Sequence, residues 1–267
     1  MSASFAIVIP ARYASQRFAG KPLAALMGAS GEAKPLIRRS WEAACAVPGA
    51  SAVVVATDDT RIAEVVRGFG GAVVMTSSAA RNGTERCAEA LAALDPGIDI
   101  IVNLQGDAPL TPAFIVTGLV AALAADADAA MATAGLRCSP ETYAHLVGDQ
   151  AQGRVGGTTV VANGKGHALY FSKRVIPHVP AAMPDPHAAV LLHLGVYAYR
   201  PAALAAYAAM PPSRLEALEG LEQLRFLEGG QPIRLVPFEP VGWDCIELNN
   251  PEDVPVIEAV LRRRGLV

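Results

Sequence analysis

Three cations lie close together near the start of the chain. Arg12, Arg17 and Lys21 share the stretch PARYASQRFAGKPL (10–23), directly after an apolar, β-branched run at 5–9. Cations so spaced on one loop, with Ser15 and backbone amides as further donors and Gly20 permitting close approach, suit a polyphosphate. The stretch has neither the Gly-Lys-Ser/Thr ending of a P-loop nor the spaced glycines of a dinucleotide fingerprint, and a solvated basic loop is the plain alternative. Asp107 ends VNLQGD (102–107), just past an otherwise apolar strand, where an unpaired carboxylate is costly. A magnesium ion shared with phosphate oxygens would explain it, and so would an Asx turn or a cap on the following helix. At NGTER (82–86), Thr84 is in reach of a helix N-cap and Glu85 sits where the helix dipole favours an acid. The same Gly-Thr pair could instead offer amides and a hydroxyl to a base or phosphate. Glu216, Glu219 and Glu222 recur at i, i+3, i+6 with Arg214 and Arg225 nearby, which reads as the solvated face of one helix.

Other chemistries find no support. His145, His167, His178, His187 and His193 are scattered without metal-ligand spacing, and no G-x-S-x-G elbow occurs.

These residues need a scaffold that delivers them to one place. Short apolar runs at 5–9, 52–56, 72–75, 98–104 and 129–134 read as strands, separated by helical stretches at about 35–47, 59–69, 83–94 and 112–125. Strands apolar on both faces and alternating with helices imply a mostly parallel sheet covered on both sides. In such sheets ligands bind beyond the carboxyl ends of the strands, so the loops after Ile9, Thr57 and Leu104 are where chemistry belongs. After about residue 137 the rhythm changes. A hairpin is expected from 158–162 and 167–171 with its turn at Asn163-Gly164, then a strand at 193–199, a helix at 201–209, one acidic helix at 214–228, a strand at 232–238 and a helix at 252–264. The proline-rich 177–186 reads as a stiff surface loop or lid, and no linker separates independent domains.

Hydrophobic residues make up 52% and charged residues 18% of 267, and the net charge is -3, which excludes disorder and a nucleic-acid-coating surface and points to a small partner. Cys45, Cys87, Cys138 and Cys245 show no paired spacing, as expected of reduced thiols in the cytoplasm. The longest apolar stretch, 113–125, falls short of the ~20 residues that span a bilayer, and no signal segment precedes the first strand, so no membrane partner is expected.

Taken together and in order, the 10–23 stretch, GTER (83–86), VNLQGD (102–107), ALYFS (168–172), HLGVYAY (193–199), LEQLR (221–225) and PED (251–253) resemble the 3-deoxy-manno-octulosonate cytidylyltransferases, or CMP-Kdo synthetases. The resemblance implies an α/β, Rossmann-like nucleotidyltransferase fold whose antiparallel β insertion forms a sugar pocket and dimer surface. It implies one domain over 1–267, with a nucleotide part at about 1–136, a sugar and dimerisation part at about 137–250 and a C-terminal helix at 251–267. It also implies a homodimer using CTP, an acidic 3-deoxy sugar and Mg²⁺. On the same grounds Arg12, Lys21 and Asp107 are catalytic, and Pro10, Ala11, Ser15, Arg17, Thr84, Arg86 and Gln105 join Arg12 and Lys21 in holding the nucleotide. His193, Tyr197, Glu216 and Gln223 fall in the sugar pocket. The alternatives are another acidic nine-carbon sugar as acceptor, or a nucleotide-binding homologue without catalysis.

Two departures mark this chain. Where the family carries a second acidic metal ligand, Asn249 stands in LNNPED (248–253), and an amide is a weaker magnesium ligand than a carboxylate. Glu247, two residues back and on the same side of an extended chain, is the best substitute, with Asp244 also near, so Asp107, Glu247 and Asn249 form the expected metal set. RVGGTT (154–159) also departs from the family's pattern.

Overall fold

The computed structural model describes residues 3–14, 17–241 and 246–267; Ser15, Asp244 and Cys245 lie outside them. The first apolar run forms β1 (Phe5–Ala11), buried along its whole length because both of its faces are covered. A small antiparallel pair follows, β2 (Ala25–Met27) and β3 (Ala33–Pro35), then α1 (Leu36–Cys45), β4 (Ala50–Thr57), α2 (Thr60–Gly68) and β5 (Ala72–Met75). Next come α3 (Gly83–Ala90), β6 (Ile100–Leu104), α4 (Ala113–Ala125), β7 (Met131–Arg137) and α5 (Pro140–Ala151). The second half holds β8 (Thr159–Ala162), β9 (Ala168–Ser172), β10 (Leu191–Tyr199), α6 (Pro201–Ala209), α7 (Arg214–Glu219), α8 (Leu224–Glu228), β11 (Ile233–Phe238) and α9 (Val254–Arg263).

The main sheet runs β11-β7-β10-β6-β1-β4-β5, with the β8–β9 hairpin attached through β10. All neighbours along that path are parallel except β10, which is antiparallel to both β6 and β7. Alternation along each strand divides the core. Ile7, Ile9, Val55 and Val102 face Ile37 of α1, Ile62 of α2 and Leu119 of α4 on one side. Ala6, Val8 and Ile101 face Cys87 of α3, Leu204 of α6 and Phe226 of α8 on the other. Because β10 inserts between β6 and β7, residues from the second half stand directly beside β6, the strand that leads into the Asp107 loop.

Three local features differ from expectation. The acidic stretch is two short helices, not one, because Gly220 takes a left-handed conformation (φ 63) that ends α7. The three glutamates therefore share no solvated face, and each finds a separate partner. The hairpin turn spans 163–166, with Gly166 rather than Asn163 or Gly164 at positive φ. α5 is an element that the periodicity does not announce, since Leu146 is its one buried side chain; Ser139 caps it by accepting from the Thr142 amide.

Candidate active site

The carboxyl ends of β1 and β6 and the bulged middle of β10 open into one cavity of about 1650 Å³. Pro10, Ala11, Arg12, Arg17 and Lys21 line one side, Arg86 and Gln105 the back, and His193, Tyr197, Glu216 and Gln223 the other side. Asp107, Glu247 and Asn249 stand at the seam between the two halves. The topology alone brings these distant segments together.

At the seam, Lys21 Nζ lies 2.5 Å from Asp107 Oδ2, and both side chains are mostly screened from water. The 246–249 segment is tied in by the Leu248 amide, which donates to the Asp107 carbonyl at 2.9 Å. Leu248 itself packs with Leu26, Leu36 and Ile257, so β2, α1 and α9 hold Glu247 and Asn249 against the Asp107 loop. Asn249 Oδ1 accepts from Arg17 Nη2 at 2.8 Å. Burial, reinforced by the Asp107 charge, pushes the Glu247 carboxyl up to about 7. Among the described residues no three His, Cys, Asp or Glu side chains are grouped so that they could hold a metal ion by themselves. The donor set is two carboxylates and an amide, all hard oxygens. It fits a divalent cation whose other positions go to phosphate and water, because such a cation offsets both the burial penalty and the Asp107 repulsion that raise Glu247. Space for Glu247 comes from Gly195, since a Cβ there would lie 2.9 Å from Glu247 Oε1.

The β10 side is apolar and aromatic. The pairing of β10 with β7 slips between Leu194 and Tyr197, which lets Gly195 face the cavity. Thr133 Oγ1 donates to the Val196 carbonyl at 2.8 Å and so offers a lone pair to His193 Nε2 at 3.0 Å. That pattern assigns the imidazole proton to Nε2. Desolvation lowers the His193 pKa to about 3, so the ring is neutral although its edge reaches the cavity between Phe171 and Tyr197. Tyr197 donates to Gln223 Oε1 at 3.3 Å, while the buried Gln223 Nε2 has no partner among the described residues.

Beneath this side lies an ionic hub. Arg225, 2% exposed, meets Glu216 at 2.6 Å and Glu85 at 3.0 Å and covers the Tyr207 ring. Glu216 thus lines the cavity with its carboxylate already committed. Glu219 accepts from Ser172 Oγ and the Lys173 amide, fastening α7 to β9. Glu222 accepts from the Thr84 amide at 3.0 Å, and burial raises its carboxyl above the ordinary range.

One nucleotide-side expectation needs correction. Thr84 is not on the cavity wall: its hydroxyl is 2.8 Å from Tyr199 Oη in the core, and the N-cap of α3 is Asn82, which accepts from the Glu85 amide. Asn82 and Gly83 take the place on the wall. Arg86 is on the wall, where Asp58 at 3.3 Å and Thr76 at 2.5 Å fix its guanidinium beside the ends of β4 and β5. Asn82, Glu222 and Arg225 were not singled out as site residues; the Asn that precedes a Gly-Thr helix start was the one available signal.

A family model described as Cytidylyltransferase matches residues 6–233. A 3-deoxy-manno-octulosonate cytidylyltransferase of Maricaulis maris is 45% identical over 97% of this chain and 97% of its own length. The mitochondrial 3-deoxy-manno-octulosonate cytidylyltransferase of Arabidopsis thaliana is 40% identical, covering 97% of this chain and 83% of its own. A solved CMP:2-keto-3-deoxy-manno-octonic acid synthetase complexed with CTP superposes with a TM-score of 0.83 at 34% identity, covering 98% of this chain and all of that one. A 4-diphosphocytidyl-2C-methyl-D-erythritol synthase from Anaerococcus prevotii, 13% identical with a TM-score of 0.61, shares the fold.

Proposed function

Because this chain belongs to the 3-deoxy-manno-octulosonate cytidylyltransferase family, we infer that it transfers CMP from CTP to the anomeric hydroxyl of Kdo and releases pyrophosphate. The observation that carries the reading is the seam, where Lys21 and Asp107 meet between a cationic loop and a neutral, aromatic side pocket. The anomeric oxygen bonds to the α-phosphorus as the bond to the pyrophosphate oxygen breaks, and the hydroxyl proton passes to solvent. Such a displacement needs in-line placement and neutralisation of developing charge rather than a protein nucleophile. Arg12, Arg17 and Lys21 meet the charge on the triphosphate and the departing pyrophosphate. Gln105, at the end of β6, faces the base.

On the sugar side Gln223 and His193 line the cavity, and the His193 ring stays neutral at working pH. Glu216 acts through Arg225 by holding α7 and α8 in place. Asp107 and Glu247, with Asn249 beside them, are the residues that would hold Mg²⁺. When bound there the ion screens phosphate charge and orients the triphosphate.

No helix among the described residues is long and apolar enough to cross a membrane. The reading extends to a cytoplasmic homodimer; the exposed Leu169 of β9 and Leu218 of α7 supply apolar surface on the half expected to dimerise. Pyrophosphate release, measured with CTP, Mg²⁺ and a panel of 3-deoxy-2-ulosonic acids, tests the function. Release with Kdo is expected; no release with any member of the panel overturns it.

A further inference from the structure

Asn249 stands where the family carries a carboxylate, and both ends of its amide are engaged. Its Oδ1 accepts from Arg17 Nη2 at 2.8 Å, across 232 residues of sequence. Its Nδ2 donates to the Glu247 carboxylate, which partly relieves the burial and the Asp107 charge that raise that group. The two partners fix which end is which, since a guanidinium only donates and an ionised carboxylate only accepts. Behind the side chain the backbone is pinned. Asp253 Oδ2 accepts from the Asn249 amide at 2.8 Å and the Asn250 amide at 2.7 Å, and the Leu248 amide donates to the Asp107 carbonyl at 2.9 Å. Arg17 is instead an exposed side chain on a loop, with several rotatable bonds of its own. Asn249 is therefore the fixed member of the pair and Arg17 the one that is directed, and both line the cavity.

We propose that Asn249 is a positioning residue: its amide holds the Arg17 guanidinium toward the triphosphate while tethering Glu247 beside Asp107. This rests on the reading of Arg17 as a cation that meets the triphosphate. Holding Arg17 in place before CTP arrives removes part of the ordering cost that a free arginine side chain adds to binding. A carboxylate at 249 could not do both tasks. It would pair with Arg17 as an ion, offsetting charge that serves the phosphates, and it would offer Glu247 a second negative charge in place of a donor. One amide thus accounts for two features of this chain together, the neutral residue at 249 and the carboxylate at 247.

Affinity for CTP, measured by calorimetry in EDTA, isolates this role, because a residue that acts only as a metal ligand has no effect there. Asn249→Ala is expected to weaken metal-free CTP binding about fivefold, the scale of one lost hydrogen bond. In an Arg17→Ala background the same change should leave the affinity within about twofold, because the two residues act as one unit. Asn249→Asp, of nearly the same shape, is expected to weaken metal-free binding at least as much as Asn249→Ala. Asn249→Leu repeats the test should the alanine variant fail to fold. Wild-type affinity in a folded alanine or leucine variant, an equal loss in both Arg17 backgrounds, or tighter metal-free binding by Asn249→Asp overturns the proposal. Wild-type affinity in Arg17→Ala instead overturns the reading of Arg17 on which it rests.

Discussion

Lys21 and Asp107 form a close ion pair, Nζ to Oδ2 at 2.5 Å, that joins the cationic loop after β1 to the end of β6. The pair places a cation and a carboxylate where the phosphates and the acceptor hydroxyl must meet. We expect Lys21→Ala and Arg12→Ala each to lower turnover by about 10²-fold, the usual scale for losing one preorganised donor to transition-state charge. Melting temperatures should stay near wild type for the exposed Arg12. A large fall in melting temperature with unchanged turnover would assign these residues to the scaffold.

The two carboxylates at the seam should both matter for the metal. Glu247→Gln is expected to weaken Mg²⁺ dependence and activity nearly as much as Asp107→Asn, because Asn249 contributes only a neutral oxygen there. Titrating Mg²⁺ against initial rate in both variants gives the comparison. A near wild-type Glu247→Gln beside an inactive Asp107→Asn would remove Glu247 from the metal set and direct attention to Asp244.

Gly195 gives Glu247 its place. A methyl group at 195 would meet Glu247 Oε1 at 2.9 Å, and the far end of that side chain yields more easily than the β10 backbone. Gly195→Ala should therefore raise the Mg²⁺ concentration needed for half-maximal rate by about tenfold, a change of the size seen when a neighbour that holds a metal ligand in place is altered, with little effect on melting temperature. Unchanged magnesium dependence would separate Gly195 from the metal site.

Much of this was legible in the chain, and the reasons are physical. The apolar runs of β1 and β6, and the second half of β4, are buried on both faces, so composition alone marks them. Arg12, Lys21 and Asp107 stand out because charge beside such runs needs a reason. The Glu216–Glu219–Glu222 spacing misled, because helical periodicity carries no notice of the single left-handed residue, Gly220, that redirects the chain. Thr84 misled in a similar way: its hydroxyl is claimed by Tyr199, a partner 115 residues away in sequence.

Arg225 should be the most costly single residue to lose from the sugar side. It is 2% exposed and pairs with both Glu216 and Glu85, so Arg225→Met strands the Glu216 carboxylate and leaves Glu85 with Arg81 alone. Breaking one partner out of a buried ionic cluster typically costs ~3–5 kcal/mol. Urea unfolding of Arg225→Met should show a midpoint well below wild type, and an unchanged midpoint would mean that the cluster adds no stability.

His193 gives the fold a dependence on acid. Its pKa falls from an ordinary 6.5 to about 3 in the folded chain, so the unfolded chain binds the extra proton between those values. The associated stability is complete above 6.5 and is lost as pH falls toward 3. His193→Gln should flatten the decline of unfolding free energy over that window by up to one proton. An identical slope in the variant would show that the folded ring titrates normally.

The central claim is cytidylyl transfer, and product identity tests it most directly. The protein incubated with CTP, Mg²⁺ and Kdo, with products followed by ³¹P NMR and mass spectrometry, is expected to yield a sugar-linked CMP phosphodiester and pyrophosphate in equal amounts, with Asp107→Asn yielding neither. CTP left intact, or consumed to free CMP or CDP without a sugar adduct, would contradict the account.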